Sequence, residues 1–166
     1  MNSREENLRY LAVHPTTYGL GYAVFEGNLR LLDWGTYRAR GDKNQKCLLF
    51  LGVLIKRYEP RVVLLESRGP QDRERSKRIR HFVLNATIHI RKERLLLKRV
   101  PRQHVRELFK GQGAQTKQGI ATRTTELFPE LLQDLPPKRK AWMPEHPRMG
   151  MFEALAIALA YFDTNT

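Results

Sequence analysis

The stretch Leu8-Arg9-Tyr10-Leu11-Ala12-Val13-His14-Pro15-Thr16-Thr17-Tyr18-Gly19-Leu20-Gly21-Tyr22-Ala23-Val24 decides how this chain folds. Its first half is apolar with only loose alternation, which predicts a strand in the middle of a sheet rather than at its edge. Pro15 to Gly19 reads as a tight turn, and Leu20 to Glu26 as a second strand. Glu26-Gly27-Asn28 carries hairpin chemistry and predicts a third strand over Leu29 to Arg38. The first strand ends in a histidine, His14, with a proline behind it.

Working outward, Asn44 to Tyr58 has helical spacing, with Cys47, Leu48, Phe50, Leu51, Leu54 and Ile55 on one broad face. Pro60 stops that helix. The run Arg61 to Glu66 is β-branched and leucine-rich with no polar alternation, so it predicts a strand covered on both faces and ending in an acid. After the loop Ser67-Arg68-Gly69-Pro70, a long basic helix is expected over Asp72 to Lys92. Ile79, Phe82, Val83, Ala86 and Ile90 form its apolar stripe. Arg94 to Val100 reads as a strand and Pro101 to Lys110 as a short helix. Gly111 to Ala114 breaks it, and Gln115 to Leu127 forms another helix. Residues 129–147 are proline-rich and read as a loop. Met149 to Phe162 is a strongly apolar closing helix carrying Glu153. Three meander strands, a helix, then strand, helix and strand followed by helices define an α/β chain with a mixed five-stranded sheet flanked by helices. One domain over 1–166 is expected, with 1–7 a flexible N-terminus.

The composition narrows the function. An apolar content of 41% supports a real core. The longest apolar run, Cys47 to Ile55, is too short to span a bilayer, so no membrane role is expected. The polar start, Met1 to Glu6, and the single cysteine, Cys47, suggest a soluble cytoplasmic protein. The formal net charge is +13, and it is uneven: Arg68 to Lys117 holds 15 of the 30 basic residues and only Asp72, Glu74, Glu93 and Glu107 as acids. So lopsided a balance favours binding to a phosphate backbone over mere solubility. Arg73, Arg75, Lys77, Arg78 and Arg80 make a helix start dense enough to follow such a backbone.

Three stretches together resemble the RuvC family of Holliday-junction resolvases, which have the ribonuclease-H-like fold. They are the opening hairpin with Gly19-x-Gly21-Tyr22-Ala23-Val24, the segment Arg102-Gln103-His104-Val105-Arg106 followed by Gly111-Gln112-Gly113-Ala114-Gln115-Thr116-Lys117, and Glu153-Ala154-Leu155-Ala156-Ile157-Ala158. The resemblance covers about Leu8 to Phe162. It implies two divalent metals, magnesium or manganese, a homodimer through the 72–92 helix, and cutting of four-way junctions. It also implies that Arg106, Lys110 and Lys117 lie near the scissile phosphate.

The family's four metal-ligand positions fall here on His14, Glu66, Gly150 and Glu153, so only two keep a carboxylate. Two dications about 4 Å apart repel by roughly 16 kcal/mol at an effective dielectric of ~20. Bridging carboxylates offset that repulsion. Imidazole brings no negative charge and cannot bridge, and glycine brings nothing. His14, Glu66 and Glu153 therefore form the expected catalytic and metal set, sufficient for one weakly held ion or none. Glu145 or His146 could substitute as a ligand. Restoring aspartate at 14 and 150 is expected to raise metal affinity. A further departure is the absence of an aromatic in Ser67 to Pro70, where the family disturbs base stacking. Trp142, in Lys138-Arg139-Lys140-Ala141-Trp142, is read either as a base-stacking ring or, preferentially, as a cap on the core.

The resulting expectation is a nucleic-acid-binding protein, branched DNA favoured, with nuclease activity weakened or lost. The alternatives are an active metal-dependent structure-specific endonuclease with a rearranged metal site, or a structured-RNA binder on the same fold.

Overall fold

The structure, a computed structural model, describes residues 7–28 and 30–165. Of the expected flexible start, 1–6 lie outside the described residues, and Asn7 is an exposed turn residue ahead of the first strand. Leu29, the expected first residue of the third strand, also lies outside them. Five strands form one sheet: β1 (Arg9–Pro15), β2 (Gly19–Glu26), β3 (Arg30–Arg38), β4 (Val62–Ser67) and β5 (Leu96–Pro101). Their order is β3-β2-β1-β4-β5. β2 runs antiparallel to both β1 and β3, and β4 runs parallel to both β1 and β5. This is the mixed sheet expected, with β1 and β4 in its interior.

Helices cover both faces. α1 (Lys43–Tyr58) and α2 (Lys77–Lys92) share one face with Leu11, Val13, Val63 and Leu65. α5 (Met149–Thr164) covers the other with Ala12, Val62 and Leu64, and α3 (Arg102–Gly111) and α4 (Lys117–Leu127) pack around it. Successive strand residues point to opposite faces, so this parity decides where the site lies. His14 follows Ala12 on the α5 side, and Glu66 follows Val62 and Leu64 onto the same side. The pairing of Val13 with Leu65 sets the two strand ends level.

α5 meets the sheet through two glycines. A Cβ on Gly21 would lie 2.1 Å from the Gly150 carbonyl carbon, so backbone touches backbone there. A Cβ on Gly150 would lie 2.6 Å from the Thr16 Cγ2 methyl. The position where the resemblance implies a ligand is thus occupied by helix-on-strand packing. An aspartate at 150 would set its Cβ against the Thr16 methyl, so the β1–β2 turn would have to shift to admit it.

Several expected boundaries differ, and the following bear on the site. The helix expected from Asp72 starts at Lys77, because Ser76 caps it by accepting from the Ile79 N–H at 3.2 Å. Gly69–Glu74 forms a separate 3₁₀ turn, and Arg75 between the two is extended, with φ −67° and ψ 147°. The proline-rich loop opens with a 3₁₀ turn over Pro129–Asp134. Thr116, not Gln115, opens the helix after the glycine turn, accepting from the Gly119 N–H at 2.9 Å. Among the described residues no helix is long and apolar enough to cross a membrane.

Candidate functional site

The ends of β1 and β4, the start of α4 and the first turns of α5 open into one cleft. His14, Glu66, Arg102, Arg106, Gln115, Lys117 and Glu153 line it, over an apolar floor that includes Met149, Phe152 and Ile157. Residues 14, 66 and 153, far apart in the chain, are brought together as expected. His14 Nε2 lies 2.5 Å from Glu153 Oε2, and His14 Nδ1 lies 3.9 Å from Glu66 Oε2.

Both carboxylates are already engaged by the protein's own cations. Glu66 Oε2 accepts from the Arg75 guanidinium at 3.0 Å and from Arg68 Nε at 3.2 Å, while Arg102 Nε stands 3.8 Å from its other oxygen. Glu153 Oε1 takes the Lys117 ammonium at 2.9 Å, and the same ammonium reaches Glu145 Oε2 at 2.7 Å. Burial would raise the Glu153 carboxyl, but His14 and Lys117 outweigh it and hold the group well below the usual carboxylate range. Burial likewise pulls Lys117 down, and Glu153 with Glu145 reverses this and pushes it above its ordinary value. Arg75 is drawn down by desolvation and by Arg68, against the pull of Glu66 and Asp72.

These residues do not fit a pair of divalent ions. An ion must take lone pairs from Glu66 and Glu153, and three of their four oxygens are already engaged by His14, Lys117 or an arginine. The carboxylates Glu66, Glu145 and Glu153 are outnumbered by Arg68, Arg75, Arg102, Arg106 and Lys117 around the cleft. Among the described residues no three His, Cys, Asp or Glu side chains are grouped so as to hold a metal. Glu145 stands at the edge of the cleft on the same Lys117 ammonium that holds Glu153, and His146 Nδ1 accepts from the Arg148 N–H. One nitrogen is left over: His14 Nδ1 is buried with no hydrogen-bond partner.

The expected nucleic-acid residues divide. Arg106 and Lys117 line the cleft. Arg73, Lys77, Arg80 and Lys110 are exposed, and none has an ion-pair partner among the described residues. Two expectations are corrected. Arg75 is not on an exposed helix start: its side chain is 4% exposed, because its extended backbone turns it inward onto Glu66. Arg78 is half-buried and spends its guanidinium on the Thr16 carbonyl at 2.6 Å and Asn44 Oδ1 at 3.1 Å, joining α2 to the β1–β2 turn and α1. Arg102 and Gln115 also line the cleft and Arg68 bonds Glu66 at its side, and sequence reasoning misses all three as site residues. Arg68 lies just past the end of β4 with φ −102° and ψ −2°, at the cap of the 3₁₀ turn, so strand parity does not place it. Trp142 does not cap the core: it is 78% exposed.

A scan against protein-family models finds no match, and a search of curated proteins finds none either. Solved structures do match. RuvC of Thermus thermophilus, in complex with a Holliday-junction substrate, aligns with TM-score 0.65 at 17% identity over 95% of each chain. The fowlpox virus resolvase with junction DNA aligns with TM-score 0.55 at 13% identity, over 93% of this chain and 99% of that one. The yeast mitochondrial resolvase Ydc2 aligns with TM-score 0.53 at 11% identity, over 94% and 78%. At such identities the likeness speaks for the fold, which is ribonuclease-H-like and of the RuvC type.

Proposed function

We propose that this chain is a RuvC-like nucleic-acid-binding protein that takes branched DNA and whose cleavage centre is weakened or lost. The observation that carries the loss is the occupation of Glu66 and Glu153 by Arg75, Arg68, Lys117 and His14. Guanidinium and ammonium groups neutralise the carboxylates but activate no water and stabilise no leaving alkoxide as a bound dication does. The same cations, with Arg102 and Arg106, make the cleft electropositive and suited to a phosphate. The junction-bound resolvases of like fold support branched DNA as the ligand.

A second reading, a single-ion endonuclease, is favoured by one observation. The unpartnered His14 Nδ1 and Glu66 Oε2 are 3.9 Å apart, a gap that one ion or one water could bridge.

A homodimer belongs to the proposal. Leu84 and Ile88 on α2 are 60% and 57% exposed, and Leu49 and Val53 on α1 are 65% and 57% exposed, on faces turned away from the sheet. The stripe expected to mediate either packing or pairing, Ile79, Phe82, Val83, Ala86 and Ile90, packs into the protein's own core.

The test is a gel-shift series with a four-way junction, a linear duplex and a structured RNA, followed by incubation with magnesium or manganese. Tighter binding to the junction without cleavage is expected. Equal affinity for all three removes the junction preference, and tighter RNA binding favours the RNA reading. Cutting that Glu66→Ala abolishes overturns the loss of cleavage and favours the endonuclease reading.

A further inference from the structure

We infer that Trp142 is a stacking platform for an unpaired base, carried on a loop fastened beside the cleft; the inference rests on the nucleic-acid reading above. Trp142 is 78% exposed and its neighbour Met143 37%. Among the described residues the indole stacks on no other ring and its N–H meets no acceptor. A large aromatic left in water forgoes the stabilisation that burial would bring, so its placement at a tip points to a ligand.

The loop is built rather than loose. Its start is held where Gln118 Nε2 donates to the Pro136 carbonyl at 2.9 Å. Its end is held where the Tyr18 hydroxyl donates to the Glu145 carbonyl at 2.9 Å and Lys117 holds the Glu145 carboxylate at 2.7 Å. Between these anchors a turn closes from the Met143 N–H to the Lys140 carbonyl at 3.0 Å, with Trp142 inside it, and the Arg139 guanidinium braces the Met143 carbonyl at 2.6 Å. Lys138 and Lys140 precede the ring, exposed and without ion-pair partners among the described residues. An aromatic face beside free cations, on a loop tied to a lysine that lines the cleft, suits a nucleotide whose phosphate meets the lysines and whose base meets the indole. The base must be unstacked from a duplex for its face to be reached, as at a junction, a fray or a single strand. The segment after Glu66 supplies no competing ring, since Ser67 to Pro70 has none.

The test uses the full chain with fluorescence-labelled DNA containing 2-aminopurine next to the crossover of a four-way junction, and a fully paired duplex of matched length. The wild-type protein is expected to change the 2-aminopurine emission on binding the junction. Trp142→Ala should abolish that change and weaken junction binding by about tenfold while leaving duplex affinity intact. Trp142→Phe should restore most of both. If Trp142→Ala binds and perturbs the junction like wild type, or weakens both DNAs equally, the stacking role is overturned and the binding reading stands. If the wild-type protein binds neither DNA at low salt, the binding reading falls and takes this inference with it. Circular dichroism of the variants checks that the exposed position leaves the fold unchanged.

Discussion

The Lys117 ammonium lies 2.9 Å from Glu153 Oε1, on an oxygen that a divalent ion would need. Removing this internal cation should free the site. Lys117→Met is expected to bind manganese about tenfold or more tightly than wild type in calorimetry, because a like charge no longer opposes the ion. His14→Asp should act in the same direction by adding a carboxylate at the strand end. Unchanged heats in both variants would mean that the cleft is not a collapsed metal centre.

Arg75 and Glu66 make a pair that is almost wholly out of water, with side chains 4% and 8% exposed. Arg75→Met leaves Glu66 with Arg68 as its one close hydrogen-bonded cation and should cost about 2–3 kcal/mol in urea unfolding. Adding Glu66→Leu should recover most of that loss, since it removes the stranded charge. A double variant no better than the single would show that Arg75 acts through packing.

Glu153 contributes to the acid limb of stability. Its folded pKa lies below the unfolded value of about 4.3. Its contribution is therefore complete above roughly pH 5 and is lost as pH falls through the folded value. The difference in melting temperature between wild type and Glu153→Gln should shrink steadily below about pH 4. Lys117 is raised, so its share persists below about pH 10 and fades as pH climbs past the folded value. A gap between wild type and Glu153→Gln that widens below about pH 4 would contradict the ion pair.

Gly150 and Gly21 should tolerate no side chain. Gly150→Ala meets the Thr16 methyl at 2.6 Å and is expected to cost about 1–3 kcal/mol. Thr16→Ser removes that methyl, keeps the hydroxyl that accepts from the Tyr18 and Gly19 N–H groups, and should relieve most of the penalty. Gly21→Ala strikes backbone at 2.1 Å and should be the worse variant, with no such rescue. Melting temperatures equal to wild type for both alanine variants would remove the close helix-on-strand contact.

The exposed cations should read as backbone contacts. Alanine at Arg73, Lys77, Arg80 or Lys110 should weaken binding to every DNA alike and lower the slope of log K against log salt by about one each. Arg78→Ala should instead loosen the fold, since its guanidinium is bonded to Thr16 and Asn44. A change in junction preference from any surface variant would argue that it touches more than phosphate.

Much of the layout is legible in the chain. The unalternating runs of β1 and β4 mark the sheet interior, because strands covered on both faces have no polar side to show. Even the convergence of His14 and Glu66 follows from strand ends and parity. Arg75 is misplaced by the same kind of reasoning: a helical pattern carried too far toward the N-terminus conceals that Ser76 caps α2 and leaves Arg75 extended. Trp142 escapes it because no periodicity governs a loop, so nothing in the chain tells an aromatic tip from a core cap.

By itself, then, the sequence determined the mixed sheet, its helical cover, the excess of positive charge and the want of a carboxylate at 14 and 150. These depend on residue type and on repeats of two or 3.6 along the chain. Only the tertiary structure decided which cations close on Glu66 and Glu153, how tightly Gly150 sits against Thr16, and that an indole stands in water on a loop anchored beside the cleft. Those outcomes depend on distances of about 3 Å between segments remote in sequence, where one residue's backbone angle or one missing Cβ settles what can meet.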